Sequence, residues 1–253
     1  MPPETSDRSF ALAANKDGRL LASSGDGLIQ LWDAESGIAL SLPQSSANDS
    51  ERPAVCFASD GRALFASSRT RGISRWNLTE NADRSLTAGP REPLALPTDA
   101  RPYLTDVSAD GNRLAVSYLE QDYASLLPLN SNAPVRINLR GHPHAFQIAL
   151  SPDGRWAASG ARVKGGGRIW DLRSGEAARD LEQGEDAFVA FSPDSQWLLT
   201  ATARGYQLWR TGTWEKGRRI EPETGAPLQS FAVAISPRGD FLAVQQNGDR
   251  RAL

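Results

Sequence analysis

The residue types that carry most enzyme chemistry are scarce in this chain, which holds two histidines and one cysteine. His142 and His144 stand two apart and could pair on a metal, but a metal site needs a third protein ligand and none is in view. Cys56 lies between Val55 and Phe57, which reads as a small buried thiol. Gly165, Gly166 and Gly167 follow Lys164, yet no Gly-Lys-Ser/Thr comes after them, as a phosphate-cradling loop requires. That run reads as a flexible hairpin. A Gly-x-Ser-x-Gly elbow is absent. Without nucleophile, base and oxyanion donors in one constellation, the sequence predicts no catalytic activity, no cofactor and no bound metal.

Composition narrows the partners. The 253 residues carry 28 Lys+Arg against 30 Asp+Glu, a net charge of −2. That balance disfavours nonspecific nucleic-acid binding, which needs a basic surface. Hydrophobic content of 40% and charged content of 23% are ordinary for a globular chain. No apolar run approaches the ~18 residues of a membrane-spanning helix, so no membrane insertion is expected. Residues 1–10 are polar and show no signal-peptide core, which makes the cytoplasm the default expectation. A single cysteine excludes an internal disulfide.

The elements that must position any functional surface recur along the chain. Lys16-Asp17-Gly18, Ser59-Asp60-Gly61, Ala109-Asp110-Gly111, Pro152-Asp153-Gly154, Pro193-Asp194-Ser195 and Pro237-Arg238-Gly239 are spaced 43, 50, 43, 41 and 44 residues apart. Before each string, apolar residues alternate at a spacing of two: Phe10, Leu12 and Ala14 in the first repeat, Phe146, Ile148 and Leu150 in the fourth. That is strand periodicity, and these sets are expected to be buried. Asp-Gly between strand-like runs predicts a hairpin, because both residues tolerate positive φ. A third strand ends in Trp32, Trp76, Trp170 and Trp209 in four repeats, and a fourth strand follows. Four short strands cannot bury two faces alone, and radial stacking of such sheets, the β-propeller solution, buries them.

The fourth repeat reads Leu139-Arg140-Gly141-His142, then Ser151-Pro152-Asp153-Gly154, then Ser159-Gly160, then Arg168-Ile169-Trp170-Asp171. In order and spacing these residues resemble the WD-repeat (β-transducin-like) propeller family. The resemblance implies four-stranded antiparallel blades, here at about 10–42, 53–96, 103–139, 145–181 and 187–220, with a partial sixth at 231–253. Residues 1–9 form an irregular N-terminal segment before a single propeller domain at 10–253. The repeat style is similar to bacterial arrays. The chain stops where the sixth repeat would continue, so the ring is expected to be incomplete and the chain a fragment. Its flanks, with Leu21, Trp32 and Phe241, are then exposed and favour self-association.

In that family a His, a Ser/Thr, an Asp and the Trp brace a blade by hydrogen bonds. Carried over by position, the fourth repeat supplies His142, Ser159 and Trp170, with Asp171 after the tryptophan, but residues 164–167 offer no Asp. The first supplies Ser23, Asp26 and Trp32, followed by Asp33, but no His. The fifth keeps Thr200 and Trp209, and the second keeps Trp76. With every set short of a member, the blades are expected to rest chiefly on apolar packing. Trp156 and Trp197 occupy matching second-strand positions and are expected to pack against the next blade.

By the same resemblance, loops from second to third strand share one face. They hold Arg69, Arg71, Arg162, Lys164 and Arg204, interleaved with Glu182, Glu185 and Asp186 of the neighbouring loops. The arginines suit an acidic or phosphorylated peptide. The reading that results is a non-enzymatic scaffold that binds a protein or peptide partner, as a sensor or adaptor region of a larger bacterial signalling protein. The competing reading is a recognition or gating propeller attached to a hydrolase or peptidase.

Overall fold

In a computed structural model of the chain, the described residues are 9–25, 28–43, 54–68, 71–82, 85–96, 101–118, 121–129, 137–182, 184–221, 233–236 and 238–244. Among them all regular structure is β-strand. The first sheet contains β1 (Ser9–Ala14), β2 (Leu20–Gly25), β3 (Leu28–Asp33) and β4 (Ala39–Leu40). The second has β5 (Ala54–Phe57), β6 (Ala63–Ser68), β7 (Gly72–Glu80) and β8 (Leu86–Leu94). The third has β9 (Pro102–Val107), β10 (Arg113–Tyr118), β11 (Tyr123–Pro128) and β12 (Ile137–Arg140). The fourth has β13 (Ala145–Leu150), β14 (Trp156–Ala161), β15 (Gly167–Asp171) and β16 (Glu176–Leu181). The fifth has β17 (Phe188–Phe191), β18 (Trp197–Thr202), β19 (Gly205–Arg210) and β20 (Lys216–Ile220). A sixth, two-stranded sheet pairs β21 (Val233–Ile235) with β22 (Leu242–Val244). The chain divides into two compact units, 1–107 and 108–253.

One polar device closes the first hairpin of several sheets. In the fourth sheet the Trp156 N–H donates to Ser151 Oγ at 2.8 Å, and that hydroxyl donates to Asp153 Oδ1 at 2.5 Å. The same Oδ1 accepts the Arg155 N–H at 3.1 Å. Ser108 with Asp110, and Ser192 with Asp194, repeat the arrangement. The hairpin expectation was that Asp and Gly both use positive φ. Only the position after the Asp does so: Gly18, Gly61, Gly111 and Gly154, and Ser195 at φ 59° where the fifth repeat has no glycine. The Gly154 N–H to Ser151 O bond at 2.9 Å makes this a four-residue turn, Ser151–Gly154, whose last residue is left-handed, not a two-residue Asp-Gly turn.

Packing follows one rule in both units. In the fourth sheet, cross-strand pairs Leu150–Ala157 and Ala157–Trp170 put these residues on one face with Ile148. That face is buried against Ala115, Ala124, Leu126 and Leu139 of the third sheet. In the fifth, Val189, Leu198 and Trp209 pack against Ala158, Ile169 and Leu181 of the fourth. In the first unit, Val55, Phe57, Leu64 and Trp76 pack against Leu20, Ala22 and Leu31 of the first sheet. Trp156 and Trp214, edge-to-face at 5.0 Å, join the contact between fourth and fifth sheets. Trp197 is half-buried.

Two sequence expectations need correction. The alternating set of the first repeat is not buried: Leu12 is 71% exposed and Ala14 is exposed, while the Phe10 side chain lies outside the described ones. Their face is the one that other sheets bury under the sheet before them. Cys56 is half-buried, because it points away from the face that Val55 and Phe57 share.

The rule gives an internal control. Trp170 is 1% exposed, whereas Trp32 at the matching position is half-buried. Trp170→Ala should cost about 3–5 kcal/mol, the scale for deleting a buried aromatic. Trp32→Ala should cost less than about 2 kcal/mol, since much of its ring surface never leaves water. Denaturant melts of the two variants would compare them, and equal losses would refute the rule.

Candidate functional site

The strongest polar constellation is the brace of the fourth sheet. His142 is 3% exposed and stands between β12 and β13. Its Nδ1 bonds to the buried Ser159 hydroxyl of β14. Its Nε2 bonds to the Gly165 carbonyl at 3.2 Å, and its ring lies 6.0 Å from that of Trp170. Both ring nitrogens are thus hydrogen-bonded within the fold, which suits the bracing role that the resemblance implies. His144 takes φ 60° in the adjoining turn.

The acid missing from residues 164–167 is supplied from elsewhere. Asp180 of β16 accepts Arg168 Nε at 2.5 Å and Nη2 at 2.8 Å, a bidentate pair. Arg168 Nη1 in turn donates to the Gly141 carbonyl, next to His142. The set is therefore filled by different residues, a carbonyl in place of a carboxylate and an Arg–Asp pair behind the Gly-His turn. These polar bonds join the apolar packing on which the fourth blade is expected chiefly to rest. The opposite charges at positions 168 and 180 are the signal that the sequence offered, since they face each other across paired strands.

Elsewhere the brace is shorter. Trp209 Nε1 donates to Thr200 Oγ1 at 2.9 Å, and Trp32 Nε1 to Ser23 Oγ at 3.4 Å. Trp76 Nε1 instead reaches the Pro43 carbonyl at 2.9 Å. Asp33 and Asp171 have a turn role. Asp33 Oδ1 accepts the backbone N–H groups of Glu35 and Ser36, and Asp171 Oδ1 that of Arg173. The bonds from Ser36 hold the Asp33 carboxyl below the usual carboxylate range. Each also faces the arginine two places after the hairpin Asp, Arg19 at 3.7 Å and Arg155 at 3.5 Å. Asp26 and Arg69 lie outside the described residues.

The second locus is the loop face of the 108–253 unit. The triple glycine is not a flexible tether. A Cβ on Gly165 would stand 2.7 Å from Ala161 Cβ, and one on Gly166 would strike the Leu181 and Glu182 carbonyls. Gly166 N–H donates to Glu185 O at 2.8 Å, Gly184 N–H to Lys164 O at 3.0 Å, and Lys164 N–H to Asp186 Oδ1 at 2.8 Å. Glycine is needed here because two loop backbones lie against each other. The tip between them is strained: Val163 and Lys164 take φ 57° and 60°, and Val163 is 72% exposed. A β-branched residue at positive φ is an outlier.

The predicted cations are divided by this geometry. Arg162 stacks over the Phe146 ring at 4.8 Å, and Phe146 meets Phe188 edge-on at 4.6 Å. Arg204 pairs with Glu185 at 2.8 Å. The Lys164 side chain is exposed and has no ion-pair partner among the described residues. Arg71, in the other unit, is exposed. Arg162 and Lys164 share one loop, and Arg204 is neutralised.

Five four-stranded antiparallel sheets, four of them with a tryptophan in the third strand, define a propeller-type β protein. Residues 6–33 and 133–171 match the family model of the WD domain, G-beta repeat, so the first and fourth repeats are similar to WD repeats. It is 33% identical over 95 residues to the small ribosomal subunit protein RACK1z of Oryza sativa subsp. japonica, covering 37% of this chain and 28% of that protein. It is 37% identical over 81 residues to small ribosomal subunit protein RACK1z of Arabidopsis thaliana, covering 31% and 24%. The aligned part thus spans less than a third of the curated relatives' length. Among solved structures, Kuenenia stuttgartiensis hydrazine synthase superposes with a TM-score of 0.74 at 14% identity, over 96% of this chain and 75% of that one. At that identity the likeness is one of fold alone.

Burial lowers the His142 pKa, since it disfavours the charged ring, and Arg168 adds to this. The unfolded chain then takes up the proton first, near its ordinary pKa of about 6.5. Stability should be full above that pH and fall as pH drops from there towards the folded pKa. The depressed carboxyl pKa of Asp180, caused by Arg168, acts only lower, near the ordinary ~4. Urea melts between pH 8 and 5 should show this slope, and His142→Gln should flatten it. An unchanged slope in the variant would assign it elsewhere.

Proposed function

We propose that this chain is a non-enzymatic protein-interaction scaffold, whose loop face in the 108–253 unit binds an acidic segment of a protein partner. The observation that carries the reading is the hairpin tip at Arg162, Val163 and Lys164. It presents two cations and an exposed apolar side chain, held at positive φ by the loop packed behind it. Strain of about 1–3 kcal/mol per such residue persists where the surroundings impose it, and it clusters at ligand clamps and switches. A clamp that is already ordered loses little entropy on binding. The similarity to WD repeats fits this reading, because such repeats supply rigid sheets and leave recognition to the loops. In this proposal the chain serves as the sensor or adaptor part of a larger cytoplasmic bacterial signalling protein.

The test has two arms. Binding of a fluorescent acidic-peptide library should select sequences that Arg162→Glu with Lys164→Glu weakens at least about tenfold. Arg173→Glu, in the turn at the opposite end of the same sheet, should leave binding unchanged. Hydrolase and phosphotransfer assays on the same protein should stay at background. Peptide binding that ignores the loop variant, or turnover that a single polar substitution abolishes, would refute the proposal.

A further inference from the structure

We infer that a cleft in the 1–107 unit binds a small zwitterion with an α-ammonium, an α-carboxylate and an aliphatic side chain, as in an aliphatic amino acid or a short peptide. The inference is independent of the loop face of the other unit. The cleft holds about 800 Å³, within the range of ligand sites, and every residue that lines it is among those described. Three hairpins frame it: the first hairpins of the first and second sheets, around Asp17 and Asp60, and the β7–β8 hairpin. That third wall is particular to the second sheet. Its strands β7 and β8 have nine residues each, against six at most for the third and fourth strands of the other four-stranded sheets. Beyond Trp76 they continue through the pairs Leu78–Ala88 and Glu80–Leu86. Arg19 Nη1 donates to Glu80 Oε1 at 2.7 Å, which ties the overhang to the first sheet.

The uncommitted side chains select the ligand. Arg19 and Glu80 neutralise each other. Asp17 and Asp60 each spend Oδ1 on the backbone N–H two places on, at 2.9 Å, and Oδ2 of each makes no hydrogen bond among the described residues. The Arg62 guanidinium makes none among them either. The rim therefore offers two carboxylate oxygens and one forked cation. Below them Leu20, Leu78 and Leu86 form a floor that belongs to the apolar cluster between the two sheets. An α-ammonium suits the aspartates, an α-carboxylate suits Arg62, and an aliphatic side chain suits the floor. An anion would meet Asp17, Asp60 and Glu80 against only two arginines, and a sugar would find no aromatic ring among the lining residues.

The walls are set before a ligand arrives. Asn15 Oδ1 accepts the Leu20 N–H at 2.9 Å, and a Cβ at Gly61 would stand 3.3 Å from Asn15 Nδ2, so the two first hairpins already meet. Such order lowers the entropy that binding costs. The charged groups stand in water, where they are screened, so affinity should be modest, with a Kd of about 0.1–1 mM, and should weaken as salt rises.

Titration of the isotope-labelled full chain, followed by NMR, tests this with leucine and the tripeptide Leu-Gly-Gly as probes. At least one should shift the Gly61 amide and Asn15 side-chain signals with a Kd in that range, and the tighter of the two names the source as amino acid or peptide. N-acetylation or C-amidation of that probe should each weaken it at least about fivefold, since each cap removes one charge. Asp60→Asn should weaken the uncapped probe by a similar factor and leave the N-acetylated form unaffected. Arg62→Gln should do the same with the C-amidated form. Both side chains are exposed, so both variants should melt like the wild type. If Asp60→Asn does not, Asp17→Asn makes the same test. Signals that neither probe shifts, or binding that ignores the caps and the variants, would overturn the inference.

Discussion

The tryptophan face of each sheet cannot be satisfied by its own strands. A four-stranded blade carries apolar residues on both faces, and in the second, fourth and fifth sheets the face that ends in tryptophan is covered by the sheet before it. The covering face is built from small and branched residues: Ala22 with Leu31, Ala115 with Leu126, Ala158 with Ile169. A flat indole needs a broad, shallow floor, and alanine beside leucine or isoleucine provides one. Stability in such an array is a sum over neighbouring pairs, so a sheet is worth as much as the neighbour that covers it. The first sheet shows the dependence, since the same residue types on the same register stay half in water there.

Polar groups add to this frame where the chain must turn. The Ser-x-Asp device in the first hairpins satisfies the backbone N–H groups that a tight turn would otherwise leave unpaired, and Ser151 and Ser192 do so while buried. The Trp-Asp step caps the next turn and reaches back to the arginine of the first hairpin. In the fourth sheet the Gly-His turn is tied to three strands at once, by Ser159, by Arg168 and through Asp180. These bonds fix geometry more than they add energy. The ion pairs are partly exposed, and pairs in that setting contribute ~0–1 kcal/mol each.

Architecture was legible because it repeats. The period near 43 residues, the alternation before each turn and the tryptophans at the ends of third strands each state the same sheet several times, and the sheets lie where those signals place them. The second repeat, longer by seven than its neighbours, holds its extra length in β7 and β8, each of nine residues. Single-copy features were less legible. Asp180 sits on an outer strand, outside the window in which an acid was sought, and its role depends on the register between β15 and β16. The triple glycine reads as loose in sequence, because sequence shows the missing side chains and not the Leu181 and Glu182 carbonyls and the Ala161 side chain that crowd their place. Burial of the first repeat's set failed for a related reason: alternation says which residues share a face, not whether anything covers it.

The same physics bears on why recognition would fall to the loops. Strands here spend their backbone groups on pairing and their side chains on neighbouring sheets, which leaves them little to offer a partner. At the 162–166 tip, the backbone bonds to 184–186 do for a loop what strand pairing does elsewhere. They remove its freedom before any partner arrives. The side chains of Val163 and Lys164 are then left over, exposed, and committed to no other element among the described residues. A residue forced to positive φ and given no internal contact stabilises nothing within the fold. Its position is therefore explained by the two loops that constrain it.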